Sequence, residues 1–269
     1  DQASGLLLRF WGRMSLVALL ADELQLTIDA LEQVLADTWT EAIRQEVSRA
    51  NAGCKRIAES WSGSPIDYHA SCYYRDFEPA PPGGQFNTEW GLSGFGFANS
   101  NGWAPRSYDD VWNDLVERGQ SPDIDRLVPI SEVCKTAFRE YKARVLSILS
   151  AALTEPDGYL EQVRQRIEGL EVYSERELLE SAFPRGQVLT RDPTANMRFK
   201  NAPHQIIAAK VGAIESTEFM CRALIDEAQH AADHMRLLER RGVRAARATG
   251  TTVFVGHGGS ALWRELKNF

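Results

Sequence analysis

Residues 24–47 read LQLTIDALEQVLADTWTEAIRQEV. Apolar side chains recur in this stretch every three or four residues, a spacing that places them on one face of an α-helix. The positions in this stripe are Leu24, Ile28, Leu31, Leu35, Trp39, Ile43 and Val47. The pattern predicts a helical block over about residues 4–60. The stripe fits a helical hairpin that packs its own core, and it also fits a seam between two copies of the chain.

Helical patterns return after residue 128. Pro129 is predicted to lie in the first turn of a helix that carries an apolar stripe as far as Leu149. A further helix is expected from about Tyr159 to Leu170. Ser174 and Glu177 have the spacing of a capping box, which predicts a short helix ending near residue 183.

The longest predicted helix begins after Asn201, which is interpreted as its N-cap, with Pro203 in its first turn. It is expected to reach about Arg241, and Gly212 marks a position where it could break. Basic side chains crowd its C-terminal end, where they complement the helix dipole and suit a solvated linker. The alternative is that they bind phosphate or nucleic acid. They are Arg236, Arg240, Arg241, Arg244 and Arg247.

Residues 61–112 differ in composition, because aromatic side chains alternate there with glycine and proline and helical periodicity is absent. Glycine and proline at this density interrupt regular elements, so we expect a long ordered loop that could include a short strand or two. Long loops of this kind usually have a function or are disordered, and aromatic residues disfavour disorder. The loop either offers its rings to a ligand or partner, or is pinned to the helical core by them.

Overall composition indicates a globular protein of one or two domains. The chain has 269 residues, a hydrophobic content of 43% and a net charge of −7, which disfavours duplex nucleic acid as the main partner. The four cysteines, Cys54, Cys72, Cys134 and Cys221, are scattered, as expected for reduced thiols in the cytoplasm. Residues 5–21 are apolar but interrupted by Arg9 and Arg13, which predicts a buried or self-associating helix rather than a membrane span.

The C-terminal residues follow a different pattern. Residues 251–255 read TTVFV, a β-branched apolar run typical of a buried strand, and residues 261–269 have helical spacing. Between them lies a glycine-rich loop of Gly256, His257, Gly258, Gly259 and Ser260. A glycine loop before a helix N-terminus suits phosphate, because backbone N–H groups point toward the ligand. One strand cannot form a parallel sheet, so we expect the natural protein to continue beyond residue 269.

Together these residues resemble the opening of the TIR-like predicted nucleotide-binding domains of bacterial proteins. Gly256, His257 and Gly258 match the family's loop and residues 263–269 match its first helix, so the resemblance covers less than a tenth of the chain. It implies a flavodoxin-like domain that binds a nucleotide through Gly256–Ser260, with no metal. In related TIR domains it implies hydrolysis of NAD+ in antiviral defence. The catalytic glutamate of the family would lie beyond residue 269.

These observations divide the chain into a helical sensing or oligomerisation domain over residues 1–245, a linker over 246–250, and the start of a TIR-like domain over 251–269. The expected fold is mostly α, followed by the first β-α unit of a flavodoxin-like domain. The expected function is the regulatory region of a cytoplasmic NAD+-hydrolysing effector that forms homo-oligomers and responds to a protein or small-molecule activator. Enzymatic activity is expected of the full-length protein, not of these residues alone.

Three alternatives remain. The chain could be a purely structural oligomer that associates through its N-terminal helices. It could be a non-catalytic helical module that binds a ligand or protein. It could also be a helical metal protein, because Glu227, His230 and His234 share one helix face and the Glu-x-x-His spacing occurs in di-iron bundles.

Overall fold

The computed structural model describes residues 2–62, 73–75, 77, 86–87, 91–92, 103–153, 156–182 and 201–250. Within this part the chain is mostly helical, as predicted. The helices are α1 (Gln2–Thr38), α2 (Glu41–Ala58), α3 (Tyr108–Glu117), α4 (Ile124–Ala152), α5 (Gly158–Glu168), α6 (Glu175–Ser181) and α7 (Pro203–Gly250). None of these helices is both long and apolar enough to cross a lipid bilayer. The predicted strand and helix at 251–269 lie outside the described residues.

Short strands occur where the aromatic loop was predicted. They are β1 (Trp61–Ser62), β2 (Tyr73–Arg75), β3 (Phe86–Asn87), β4 (Gly91–Leu92) and β5 (Trp103–Pro105). Strand β2 pairs antiparallel with both β1 and β5, and β3 pairs antiparallel with β4. Tyr74, at the centre of β2, lies opposite Trp61 on one side and Ala104 on the other. These pairings hold together the two ends of residues 61–105, called the aromatic segment.

Helices α1 and α2 lie end to end along α7, so the predicted hairpin is wrong. Three hydrogen bonds define the path. They are Arg236 Nη2 to Gln25 Oε1 at 3.0 Å, Arg44 Nε to Glu218 Oε1 at 2.7 Å, and Asn51 Nδ2 to Glu215 Oε2 at 2.8 Å. As residue numbers rise along α1 and α2, the partners on α7 fall, which is the signature of one antiparallel line. A hairpin would reverse that order in α2.

The apolar stripe of residues 24–47 is buried within one chain. All seven of its side chains belong to the hydrophobic core, and Trp39 stays buried at the short break between α1 and α2. Helix α1 packs on α4 and α7. Burial of one large apolar side chain stabilises a fold by about 1.5–3 kcal/mol, so the stripe is a main source of stability. The alternative of an intermolecular seam on this face is therefore wrong.

Helix α7 runs without a break over 48 residues, or about 72 Å at the usual rise per residue. Gly212 does not interrupt it. Leu178 Cδ1, on α6, lies 3.1 Å from the position a Cβ at Gly212 would take, so this glycine permits close packing between the two helices. The helix continues through residues 246–250, the predicted linker. Alanine and arginine are good helix formers, and they carry the helix past the predicted end.

The start of α7 also differs from the prediction, because Asn201 is not its N-cap. The helix begins at Pro203, and the N–H of Ala202 donates to Oε1 of Gln205 at 2.9 Å. Asn201 Oδ1 is buried and has no hydrogen-bond partner among the described residues.

Helix α3 corrects the boundary of the aromatic loop, which was placed at residue 112. Ser107 and Asp110 form a reciprocal capping box that starts this helix at Tyr108. The next helix, α4, starts at Ile124, where the side chain of Asp123 accepts from the N–H of Arg126. Pro129 therefore lies inside α4 rather than in its first turn. The N-caps Ser107 and Asp123 set the starts of these two helices, and neither the aromatic composition nor Pro129 indicates them.

The predictions for α5 and α6 are confirmed. Asp157 accepts from the N–H groups of Tyr159 and Leu160 at the start of α5. Ser174 and Glu177 form the predicted capping box of α6.

Helix α2 approaches α3 closely at Gly53. A Cβ added there would lie 2.5 Å from Leu115 Cδ2 and 2.9 Å from Gln120 Cβ. Leu115 is fully buried and has little room to move. Only glycine allows this approach.

Candidate functional site

The predicted nucleotide loop, Gly256, His257, Gly258, Gly259 and Ser260, lies outside the described residues. The described part contains three other predicted sites. These are the Glu227 helix face, the cysteines and the aromatic segment.

The Glu227 face is occupied by partners from α5. Glu227 forms a bidentate ion pair with Arg166, with N–O distances of 2.7 and 2.8 Å. His230 is exposed, and its Nδ1 lies 3.8 Å from Glu227. These contacts place an arginine, rather than a metal ion, against the carboxylate.

His234, two turns further along α7, has different partners. Its Nε2 lies 3.0 Å from Asp157 Oδ2, and its ring packs on Tyr159 with centroids 4.6 Å apart. Burial acts to raise the pKa of Asp157, but hydrogen bonds from the Leu160 backbone and from His234 outweigh it and hold the pKa below its usual value. Within the described part of the chain, no three histidine, cysteine or acidic side chains are grouped as metal ligands would be.

The cysteines of the described part are buried free thiols, namely Cys54, Cys134 and Cys221. Burial raises the pKa of Cys54 to about 11 and that of Cys221 to about 12, and it also raises the pKa of Cys134. A thiol with so high a pKa carries almost no thiolate at neutral pH and is a poor nucleophile. Cys72 lies outside the described residues.

Two residues of the aromatic segment, Tyr74 and Phe77, contact His204 on α7 and the side chains of Arg56 and Arg106. These five residues are called the aromatic junction. Tyr74 is fully buried, and its hydroxyl lies 2.8 Å from Nδ1 of His204 in the first turn of α7. The two rings meet edge to face at 5.7 Å, and Phe77 lies 5.3 Å from Tyr74. At these positions the rings pin the segment to the helical core.

His204 is neutral in this setting. Burial lowers its pKa from 6.5 to about 3, because the low-dielectric interior disfavours the charged imidazolium. The ring is therefore a hydrogen-bonding group and not a charged one at physiological pH. Any change that opens the junction to water would restore its ability to take up a proton.

Arg56 has three hydrogen-bond partners at the junction. Its guanidinium donates to the carbonyl of Phe77, to Oδ2 of Asp114 on α3 at 2.5 Å, and to Oε1 of Gln120 at 3.1 Å. The Asp114 carboxylate balances the charge. Charge-assisted bonds of this kind are about twice as strong as neutral ones, so Arg56 is a structural link between α2, α3 and the aromatic segment.

Phe77 carries backbone strain. Its φ is +53°, a left-handed conformation that is rare for a bulky residue. The Arg106 guanidinium lies 5.7 Å from the centre of its ring, at the usual distance of a cation–π contact. Nε of Arg106 is buried and has no hydrogen-bond partner among the described residues. Strained backbone and unsatisfied polar atoms concentrate at functional sites, which makes this junction the candidate site of the described part.

The comparisons with known proteins give no further lead, because no family model, no curated protein and no solved structure matches the chain.

Sequence reasoning found the aromatic segment but missed the residues that anchor it. Arg56 lies on an ordinary amphipathic helix, and His204 follows a proline at a helix start. Their partners are up to 130 residues away in the sequence. The one available signal was His204, a polar residue in register with the apolar stripe of Ile207 and Val211 on α7.

Proposed function

We propose that residues 1–250 are the regulatory and self-associating region of a TIR-like effector. Its nucleotide-binding domain begins at residue 251 and hydrolyses NAD+ in bacterial antiviral defence. The observation that carries this proposal is the continuity of α7, which runs from the aromatic junction at His204 to Gly250, directly before the TIR-like segment.

A continuous helix is a rigid link between two regions. Helix α7 packs against α1, α2, α4, α5 and α6. A rearrangement of the bundle or of the aromatic junction therefore has to move or rotate the end of α7. That end leads into the strand and glycine loop that resemble a nucleotide site. Coupling of this kind is what a sensing domain requires.

Self-association is supported by the outer face of α1. Leu16, Leu19 and Leu26 are 42%, 58% and 63% exposed, and their spacing of three and seven residues places them in one row. This row, called the leucine row, lies beside the buried stripe and not within it. A second copy of the chain that packs its own row there would remove these side chains from water.

The direct test is NAD+ consumption by the natural full-length protein, compared with these 269 residues alone. We expect the full-length protein to consume NAD+ and this chain not to. A Gly258→Val variant of the full-length protein should lose activity, because a side chain would fill the loop beside the phosphate. Absence of NAD+ consumption by the full-length protein, with or without its cellular activating conditions, would refute the enzymatic proposal.

Coupling is tested separately by an Ala246→Pro variant of the full-length protein, with Ala246→Ser as the matched control. Proline in a helix interior removes a hydrogen bond and bends the axis. We expect NAD+ consumption that no longer responds to the activating condition, with an unchanged unfolding midpoint of the bundle. A proline variant that responds like the serine variant would show that α7 does not transmit the signal.

A non-catalytic binding module is the second candidate, and a groove of 470 Å³ along α4 favours it. A full-length protein that binds a ligand but consumes no NAD+ would select this alternative.

A further inference from the structure

A groove separate from the aromatic junction lies between α4 and the connector that joins α5 to α6. It is called the α4 groove, and its volume is 470 Å³, within the range of small-molecule sites. Its apolar lining comes from both sides, with Phe138 and Leu146 from α4 and Leu170 and Val172 from the connector. Such a surface suits the flat apolar part of a small ligand.

Three cations stand in a row along this groove. Lys135, Arg139 and Lys142 occupy positions i, i+4 and i+7 of α4 and extend over about 10 Å of the helix. Glu171 is the acidic residue among those that line the groove. Three positive charges and one negative charge give the lining a formal charge of +2, on a chain whose net charge is −7. The groove therefore favours an anionic ligand.

The three cations differ in what they already bind. Lys142 Nζ donates to the carbonyls of Glu168 at 2.9 Å and Leu170 at 2.6 Å, so it holds the connector in place. Lys135 Nζ lies 3.2 Å from Glu132 on the neighbouring turn.

Arg139 is exposed and has neither an ion pair nor a hydrogen bond within the described part of the chain. Its guanidinium is available as a two-pronged donor, the geometry that suits phosphate and carboxylate.

A second depression extends the groove toward α7. Its volume is 380 Å³, and Lys135 and Val172 line both spaces. It adds the side chains of Ser131, Thr217 and Lys210. The second depression is also lined by Glu132 and Glu175, which balance Lys135 and Lys210 there. The excess of positive charge therefore lies in the α4 groove itself, beside Arg139 and Lys142.

We propose that the α4 groove binds a phosphate-bearing small molecule with a flat apolar portion, of the nucleoside monophosphate class. The phosphate is held by Arg139 with Lys135, and the apolar portion lies on Leu170 and Val172. The volume and the single cationic row fit a small molecule rather than a nucleic acid duplex, which needs a broad basic surface. The site uses no residue of 251–269, so it stands independently of the NAD+ proposal.

The test is a fluorescence titration of the 269-residue chain with the N-methylanthraniloyl derivative of AMP, displaced by unlabelled AMP and by inorganic phosphate. We expect AMP to displace the probe at lower concentration than phosphate does. An Arg139→Gln variant should bind about tenfold or more weakly, because it loses charge-assisted bonds to phosphate. Arg144→Gln is the matched control, since Arg144 is exposed on the same helix but does not line the groove.

Three results would overturn the proposal: no binding of the probe, equal weakening by Arg139→Gln and Arg144→Gln, or displacement by phosphate as effective as by AMP. A Gly258→Val variant separates this site from the TIR-like loop. It should bind the probe like the wild type, whereas loss of binding would assign the nucleotide to the loop and refute the groove. Unfolding midpoints of all variants, measured by circular dichroism, exclude loss of fold as the cause.

Discussion

The buried imidazole of His204 makes the stability of this protein depend on pH in a defined window. Its pKa is about 3 in the folded chain and 6.5 when exposed, because burial disfavours the charged ring. Below pH 6.5 the unfolded chain takes up a proton that the folded chain does not. Stability contributed by this group is therefore complete above pH 6.5 and is lost as the pH falls toward 3.

The expected loss follows from the two pKa values. One proton taken up by the unfolded state alone costs about 1.4 kcal/mol per pH unit. Between neutral pH and about pH 5 the free energy of unfolding should therefore fall by about 2 kcal/mol because of His204. Asp157 and Glu177 also have lowered pKa values, but they reduce stability only once the pH falls near their unfolded values of 3.8 and 4.5. The window above about pH 5 thus reports on histidine.

The assay is urea unfolding followed by circular dichroism at several pH values between about 7.5 and 5, for the wild type and for His204→Asn. Asparagine places an amide near the position of Nδ1, so it can still bond to Tyr74 but cannot take up a proton. The variant will be less stable overall, yet its free energy of unfolding should depend less on pH. In the lower half of the window, its slope should be smaller than that of the wild type by about 1.4 kcal/mol per pH unit. Parallel pH profiles for the two proteins would refute the argument that His204 stays neutral in the fold.

Two further predictions concern packing and assembly. Gly53→Ala should lower the free energy of unfolding by about 1–2 kcal/mol in the same urea assay, because overpacking against α3 outweighs the helix propensity gained. Gly158→Ala is the control. Its Cβ would meet no atom within 4 Å, so the free energy of unfolding should stay unchanged or rise. A double change of Leu19 and Leu26 to glutamate should reduce the mass measured by light scattering if the leucine row forms the contact between copies. Val133→Glu, at an exposed position of α4, should leave the mass unchanged. Equal masses for the wild type, the double variant and Val133→Glu would exclude the leucine row as an interface.

Local signals predicted several elements of this fold. The capping box of Ser174 and Glu177 was recognised because both partners lie within one turn and need no tertiary context. The same signal at Ser107 was missed, since the surrounding aromatic residues indicated a loop. Pro129 was misplaced for a related reason, because a proline suits the first turn but is also tolerated later in a long helix packed on its neighbours.

The placement of the helices against one another could not be predicted from the sequence. The break between α1 and α2 is two residues long, and it is compatible with a reversal as well as with a continued line. Only the partners on α7, namely Arg236, Glu218 and Glu215, decide between them. The Glu227 face is a similar case. Its spacing suits a metal, but Arg166 comes from another helix and occupies the carboxylate.

Helix α7 connects the aromatic junction with both helices of the α1–α2 line. Its first turn holds His204 at the aromatic junction, its middle binds α2 through Glu218, and Arg236 contacts α1 toward its far end. Glu218 is nearly buried and bonds to both Arg44 and Arg222, so the middle of the helix is fixed to the bundle by charge as well as by packing. A signal that shifts either the junction or the α1–α2 line has to be accommodated along α7. Under the proposed function, such a shift would reach the C-terminal end of α7 at Gly250 and act there on the proposed nucleotide-binding domain.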